Sequence, residues 1–407
     1  MTIFISIAAY RDSELAPTIR DCLAQARDPL ALRFGICWQH GDDEQPLPEF
    51  SDPRFRVIAV PWRESAGACW ARAEIMRLWN GEDFFLQIDS HHRFAPHWDA
   101  VLLAQAALCG TSKPVLSTYV AAYDPIAGAR QPAEPMQMEF DRFDEDGIPL
   151  FRSHAIAPAE RARGPRRARF LSGHFLFAPG SFVRDVPYDP SLYFIGEEIT
   201  LAIRAFTHGY ELFHPSEHVL WHEYSRLYRT KHWDDHVAER GVPEPWHLRD
   251  RSSRTRVSRF LSQPDVGPFG CGTVRSFAGY EAYAGLDFRQ RVAHPAALRG
   301  EEPPRCHPAS ESTAARRWDL RIVLKRADLP AAALADPQFW YVGFHDDHGA
   351  EIHRSDADGP ELRALVAGDS PEIVISRGFL SARPPTRWTV WPVSHSQGWL
   401  DKLVGAL

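Results

Sequence analysis

A chain of 407 residues, 44% hydrophobic and 24% charged, has the length for two cored domains and the balance of a globular protein rather than a disordered or fibrous one. Its net charge of −7 provides no global attraction to nucleic acid or to an anionic membrane, and no apolar run reaches the roughly eighteen residues that a bilayer span needs. The six cysteines (Cys22, Cys37, Cys69, Cys109, Cys271 and Cys306) are scattered without a close pair. They read as reduced packing residues, not as a zinc site or a disulfide framework. Residues 1–7 lack a basic leader and run straight into apolar strand sequence, so a cytoplasmic protein without a signal peptide is expected.

In chain order, residues 3–9 read as an apolar strand. A helix follows, with Leu15, Ile19, Cys22 or Leu23, and Ala26 at helical spacing and Asp12 or Ser13 as its cap. Strands are expected at 32–38 and 55–60, a helix over 66–80 that stops at Asn80-Gly81, and a strand at 83–89. A helix at 98–109 and a strand at 115–119 continue the alternation, which specifies an α/β fold with a doubly wound, mostly parallel sheet. Residues 124–168 read as a charged loop ending in Arg161, Arg163, Arg166, Arg167 and Arg169, a run suited to solvent or to an acidic ligand. Phe170–Ala178 reads as a strand kinked at Gly173, where a ligand can approach closely. Phe194-Ile195-Gly196-Glu197-Glu198 opens a helix closed by Gly209, and two acids in a first turn also serve simply to compensate its dipole. Residues 225–260, rich in Arg, Tyr and His, look like an active-site lid.

A domain of residues 1–300 is therefore expected, followed by a linker at 301–316 and an accessory β domain at 317–407. The last is marked by short alternating strands at 318–325, 339–345 and 387–393, with Asp346-Asp347-His348-Gly349 as a turn, and reads as a small β-sandwich. Its aromatics (Trp318, Trp340, Tyr341, Trp388, Trp391 and Trp399) suit core packing first and sugar stacking second.

The chemistry concentrates in Asp83-Phe84-Phe85-Leu86-Gln87-Ile88-Asp89-Ser90-His91-His92-Arg93-Phe94. An apolar strand here ends in metal-type ligands, as a buried strand does when it delivers polar groups to its C-terminal edge. Asp89 and His91 are two apart, so on an extended backbone both side chains leave on one side and can hold a cation such as Mn²⁺ against a diphosphate. A salt-bridged strand end with a solvated His pair fits the same spacing. Tyr10 at the mouth of the first strand can stack on a base, Asp12 can accept from a base or ribose, and Arg72 can reach the nucleotide as a fixed cation. His214, His218 and His222 recur at intervals of four, yet Pro215 and Val219-Leu220-Trp221 favour a loop entering a strand over a three-His helical zinc site.

Three stretches appear in order: Ile5-Ser6-Ile7-Ala8-Ala9-Tyr10-Arg11-Asp12, Arg63-Glu64-Ser65-Ala66-Gly67-Ala68-Cys69-Trp70-Ala71-Arg72, and Gln87 to Phe94. Together they resemble glycosyltransferase family 60, the GlcNAc-transferases that include the Skp1-hydroxyproline enzyme, over roughly residues 1–300. The resemblance implies a GT-A fold, a UDP-sugar donor, a divalent metal and retention of anomeric configuration. It places Ala8, Tyr10, Arg11, Asp12, Arg63, Arg72 and Ser90 among the donor-binding residues. The chain also resembles the more distant polypeptide GalNAc-transferases, which carry an Asp-Ser-His metal motif completed by a later His that an Arg and a Tyr follow. That likeness implies His222 as third ligand after Asp89 and His91, with Arg226, Tyr228 and Arg229 over the diphosphate. It also implies Glu197 as the sugar- or acceptor-facing acid, although the segment departs from that group's Trp-Gly-Gly-Glu-Asn at the aromatic and at the last residue.

The expectation is a metal-dependent UDP-sugar glycosyltransferase of the hexosyltransferase kind. It uses Mn²⁺ (or Mg²⁺) and moves a sugar, GlcNAc first among candidates, to a hydroxyl of a protein, glycan or small molecule. Metal and Arg stabilise the departing UDP, and no Ser-His-Asp or Cys-His set asks for an enzyme nucleophile. Two rivals stay open on the residues: a metal-dependent phosphohydrolase, and a sugar- or nucleotide-binding protein without turnover.

Overall fold

The structure, a computed structural model, describes residues 1–226, 228–264, 267–305, 316–347, 349–368, 370–381 and 383–407. Leu227, Cys306, His348 and most of the expected linker (306–315) lie outside the described residues. Two compact units divide the chain: Met1–Ser262 with Phe277–Cys306, and Gln263–Ser276 with His307–Leu407. The segment 263–276 thus joins the second unit, which the sequence reading had placed wholly within the first.

The first unit is built on largely apolar strands, buried on both faces except for the third, a half-exposed edge strand. These are β1 (Ile3–Tyr10), β2 (Leu32–His40), β3 (Phe55–Pro61) and β4 (Phe84–Asp89). They pair in parallel in the order β4-β1-β2-β3, connected through α1 (Leu15–Gln25) and α2 (Ala68–Met76). Four further strands extend β4 outward: β6 (Pro114–Ser117), β10 (Arg166–Arg167), β11 (Phe175–Pro179) and β12 (Glu211–His214). They complete an eight-stranded sheet of order β10-β12-β6-β11-β4-β1-β2-β3, mixed because β11 runs antiparallel to both of its neighbours. The chain order reverses between β1 and β4, and at such a switch point the strand ends diverge and leave a crevice. Under the sheet, Phe34 stacks on Phe55 with centroids 4.4 Å apart, and Phe84 on Phe177 at 5.1 Å. Trp98, fully buried at the start of α3 (Trp98–Leu108), donates its indole N–H to the Cys22 carbonyl at 2.9 Å. Burial of each such aromatic is worth about 1.5–3 kcal/mol.

A second small sheet crosses the mouth of the crevice. Its strands β5 (His92–Phe94), β7 (Ala121–Ala122) and β13 (Leu220–His222) pair in the order β5-β13-β7. Ser90 and His91 form a bend between β4 and β5, so the expected extended backbone from Asp89 to His91 is not what brings these residues together.

Other local departures have clear causes. α2 ends at Met76 because Leu78 and Trp79 bond to carbonyls three residues back, the tighter 3₁₀ pattern. Asp12 does not cap α1; its Oδ1 takes the Glu14 N–H at 3.0 Å before the helix starts. The supposed loop 124–168 holds the antiparallel hairpin of β8 (Met136–Phe143) and β9 (Pro149–Ala155). Residues 246–262 are a helix, Trp246–Ser262, seated on Ser253, Val257, Phe260 and Leu261. The Arg run divides: Arg161 and Arg163 are exposed, whereas Arg167 and Arg169 bond the carbonyls of Pro303 and Ala284 at 2.9 Å, and Arg166 bonds that of Gly300 at 3.0 Å. These last three hold residues 284–303 to the sheet edge.

In the second unit a two-stranded ribbon, Arg316–Lys325 with Glu372–Ser381, packs on a five-stranded sheet that includes Pro337–His345 and Arg387–Ser394. Ile322, Leu324, Ile373 and Ile375 of the ribbon meet Trp340, Val342, Phe344 and Val390 in one core. Trp340 is fully buried, as core packing requires, whereas Trp399 is 52% exposed. Among the described residues no helix is long and apolar enough to cross a membrane.

Candidate active site

The C-terminal ends of β1 and β4, together with β13, open into a cleft of about 770 Å³. At its floor a carboxylate oxygen of Asp89 and one ring nitrogen each of His91 and His222 lie within 4.8 Å of one another. Asp89 Oδ2 is 3.7 Å from His91 Nε2 and 3.3 Å from His222 Nε2. A hard carboxylate with two imidazoles is a donor set that suits Mn²⁺.

The outer shell orients these atoms. Asp12, fully buried, takes the Nδ1–H of His91 at 2.7 Å and the Ser90 hydroxyl at 2.7 Å. This fixes the His91 proton on Nδ1 and leaves Nε2 bare, and Nε2 accepts from Arg229 Nη2 at 3.1 Å. Burial would raise the Asp12 carboxyl, but the hydrogen bond from His91 and the charges around it prevail and hold it at about 2. Desolvation would raise the half-buried Asp89 carboxyl too, yet its hydrogen bond with His222 and the Arg72 charge hold it well below the usual carboxylate range. Burial drives the His222 imidazole well below its ordinary value and keeps it neutral, the form that ligates. His222 Nδ1 has no hydrogen-bond partner, although it is buried. These features fit a divalent cation.

Arg72 is buried between two acids, with Nη2 on Asp89 Oδ1 and Nη1 on Glu197 Oε1, both at 2.6 Å. The other oxygen of Glu197 takes the Cys69 thiol at 2.8 Å. Room for this carboxylate depends on Gly173, since a Cβ there would stand 2.0 Å from Glu197 Oε1. The close approach read at Gly173 is therefore made by a side chain of the protein itself. Helix Glu197–Thr207 starts from Gly196, held at φ 91°, which turns both acids toward the sheet edge.

Of the residues singled out in the sequence, Ala8, Tyr10, Arg72 and Ser90 line the cleft with the three candidate ligands. Arg226 and Arg229 close it from the segment after β13. Arg226 stands over the rings of Phe194 and Trp233, 5.5 Å from each centroid, and burial followed by the Arg229 charge lowers its pKa. Asp12 is not among the residues that line the cleft; its oxygens are engaged by His91, Ser90 and Glu14, so it braces the His91 ring from behind. Arg11 pairs with buried Asp235 at 2.6 Å, and Arg63 pairs with exposed Asp42 at 2.8 Å, both outside the cleft wall. Tyr228 reaches Asp12 Oδ1 with its hydroxyl at 3.4 Å. His214 lies in the core, bonded to the Ser117 carbonyl at 2.8 Å, so the three histidines at intervals of four do not form one site.

The sequence reading missed the rings that crowd Tyr10. His232 lies 4.9 Å from it and His236 6.0 Å, and Tyr10 donates its hydroxyl to Asp235 Oδ2 at 3.0 Å. It also missed a second cleft, about 1130 Å³, that shares Arg72, Asp89, His222 and Arg226 with the first. Its wall contains Glu197, Glu198 and residues of the β8–β9 hairpin. Burial lifts the Glu198 carboxyl to about 7; its oxygens accept from Tyr119 and from the Gly173 N–H at 2.8 Å. No local periodicity pointed to this wall, because it is assembled from residues spread along the chain from Arg72 to Arg226.

Among the described residues one three-ligand set is found, whereas a two-metal hydrolase would need two. Among solved structures, the chain is similar to GalNAc-T7 crystallised with UDP, GalNAc and Mn²⁺, at 15% identity and a TM-score of 0.49. That match covers 69% of this chain and 50% of the other, so the chain spans about half the length of that protein. It is also similar to S. aureus TarS 1–349, alone and in complex with UDP, at 12% identity with TM-scores of 0.38 and 0.37. Each TarS match covers 64% of this chain and 72% of TarS. No curated protein matches the chain. The profile of the family described as Glycosyltransferase (GlcNAc) matches residues 2–52 and 43–290, most of the first unit and its cleft: the chain belongs to this glycosyltransferase family.

Proposed function

We propose that this glycosyltransferase moves a sugar, GlcNAc first among candidates, from a UDP-sugar to a hydroxyl acceptor with retention of configuration. The observation that carries the proposal is the convergence of Asp89, His91 and His222 at the sheet switch point, inside a cleft that two further arginines close. Asp89, His91 and His222 would hold Mn²⁺ or Mg²⁺, which supplies a positive charge against the diphosphate. Arg226 and Arg229 add fixed positive charge beside it, and Tyr10 and His232 offer ring faces to the base. Arg72 holds Asp89 and Glu197 rigidly in place from below.

The second cleft opens to the same floor and is the acceptor's route, with Glu197 and Glu198 on its wall. Both Glu197 oxygens are engaged, which supports transfer without an enzyme nucleophile. In that course the bond from sugar C1 to the UDP oxygen breaks. The acceptor oxygen bonds C1 on the same face, and its proton passes to the departing phosphate oxygen. The scattered free thiols suit a cytoplasmic setting.

The test is UDP release from UDP-GlcNAc, with and without Mn²⁺, by the full chain and by Asp89→Ala and His91→Ala. Loss of either ligand is expected to lower turnover by several powers of ten, because metal and oxyanion-type stabilisation supply several kcal/mol. Unchanged turnover in either variant would overturn the assignment.

A further inference from the structure

Arg11 belongs to the first of the three motif stretches, yet it does not line the cleft. Its backbone sits at φ 43°, in the left-handed region that residues other than glycine seldom enter. Such a conformation persists where its surroundings enforce it, and it gathers at functional sites. Consecutive side chains of a strand leave on opposite faces. The turn at Arg11 undoes that alternation for the last residue of β1 and the one after it. Tyr10 and Arg11 both reach Oδ2 of Asp235, at 3.0 and 2.6 Å.

Asp235 is fully buried, and Arg240 occupies its other oxygen. It closes the short helix His232–Asp235, within the segment that gives the cleft Arg229, Lys231, His232 and Trp233. The same segment has further ties. His232 sets its ring nitrogens 2.7 Å from the Tyr193 hydroxyl and 2.9 Å from Ser65 Oγ, and His236 Nε2 donates to the Trp62 carbonyl at 2.9 Å. Those bonds join uncharged groups, whereas Arg11 and Asp235 make a charge-assisted one, roughly twice as strong. Tyr10 spends its one hydroxyl proton on Asp235, so it offers the cleft a ring face fixed in position.

We infer that Arg11 and Asp235 form a clasp that holds the 229–236 wall against the donor cleft, with Arg11 a positioning residue for the nucleotide. Arg229, Lys231, His232 and the Tyr10 ring take their places through this contact, without Arg11 meeting the donor. This rests on the donor-cleft reading given above and deepens it. A wall in place only about a tenth of the time weakens UDP about tenfold, because apparent affinity scales with the competent fraction.

The test is calorimetric titration of the full chain with UDP in the presence of MnCl₂, for the wild type, Arg11→Gly, Arg11→Lys and Asp235→Asn. Glycine accepts a φ of 43° without strain, so Arg11→Gly removes the side chain and spares the turn. Arg11→Gly and Asp235→Asn are each expected to lose about tenfold in UDP affinity, and Arg11→Lys, which keeps the charge, to recover most of it. The double variant of Arg11→Gly with Asp235→Asn should lose no more than either alone, because all three lack the same contact. UDP affinity in Arg11→Gly within about threefold of the wild type would overturn the inference, as would losses that add in the double variant. Hydrogen exchange read by mass spectrometry supplies a second measurement. Amides of 229–240 should exchange faster in both single variants while those of β2 keep their rates, and acceleration spread evenly over the first unit would reduce Arg11 to general stability and overturn the clasp. Absence of UDP binding by the wild type would instead sink the donor-cleft reading. Should the variants not fold, exchange in the wild type decides: slow exchange at 229–240 before UDP is added supports the clasp, and exchange there as fast as in an unfolded chain overturns it.

Discussion

The His91 ring is held by Asp12 from 79 residues away, Nδ1 to Oδ2 at 2.7 Å, with no water-exposed surface on the carboxylate. A carboxylate behind an imidazole fixes the tautomer and raises the basicity of the nitrogen that faces a metal. In Asp12→Asn the amide can donate to Nδ1, and the proton is then driven to Nε2, where a cation would have to bind. Manganese affinity, read by calorimetry, is expected to fall at least tenfold, with a smaller effect on UDP binding measured without metal. Unaltered manganese affinity would show that Asp12 only packs. The same carboxyl gives a pH signature. Its folded pKa of about 2 lies below the unfolded value of about 3.9. Its contribution to stability is therefore present above about pH 4 and is lost as pH falls toward 2, and Asp12→Asn should lack that part of the acid transition.

Arg72 joins the two clefts through one guanidinium shared by Asp89 and Glu197. Deleting one partner of a buried ion pair leaves charge without compensation and costs about 3–5 kcal/mol. Arg72→Ala faces two stranded acids, so the first unit should lose about that much in urea unfolding followed by circular dichroism. Arg72→Lys keeps the charge but cannot fork to both acids, and an intermediate loss is expected. A loss below about 1 kcal/mol in Arg72→Ala would mean that the acids protonate or rehydrate at little cost.

Much of this arrangement was legible along the chain, and the parts that were not share a cause. The β1–α1–β2 and β3–α2–β4 order showed in apolar runs because strands buried on both faces, as β1 and β4 are, keep few polar positions to confuse the pattern. Asp89 and His91 were found by spacing, although a bend at Ser90 and not an extended strand makes them converge. The β8–β9 hairpin was missed because its turn, Asp144 to Gly147, is so acidic that charge masked the alternation of Met136, Met138 and Phe140 before it. Helix Trp246–Ser262 was missed because only four of its residues are buried and five are arginine. The surroundings of Asp12 and Glu198 are set by partners distant in sequence, and periodicity carries no information about such contacts.

Gly173 tests how tightly the acid pair is packed. A methyl group at this position would need the space of Glu197 Oε1, 2.0 Å away, with Arg72 Nη1 at 3.3 Å. The carboxylate cannot yield without breaking its bonds to Arg72 and Cys69. Overpacking of this kind costs about 1–3 kcal/mol. Gly173→Ala should therefore unfold at lower urea and lose transferase activity, while Gly267→Ala, where no atom would lie within 4 Å of the new Cβ and the backbone is not left-handed, serves as a control. If Gly173→Ala matched that control in both measurements, the close packing of Glu197 would be disproved.

Glu198 gives the opposite pH signature to Asp12. Burial lifts its carboxyl to about 7, against about 4.3 in an unfolded chain. The folded state thus binds this proton more tightly, and the stability it contributes is fully present below about pH 4.3 and lost as pH rises toward 7. Among the described residues no cation pairs with it; Tyr119 and the Gly173 N–H are its partners. Glu198→Gln keeps shape and hydrogen-bonding capacity but removes the ionisation. Melting temperatures of the metal-free protein between pH 5 and 8 should therefore fall more steeply for the wild type than for Glu198→Gln. Parallel curves would place the ionised carboxylate in a better solvated setting than its burial indicates. Because Glu198 lines the second cleft, the same substitution should leave UDP binding in the first intact, and a matching loss of UDP affinity would show that the two clefts are not independent.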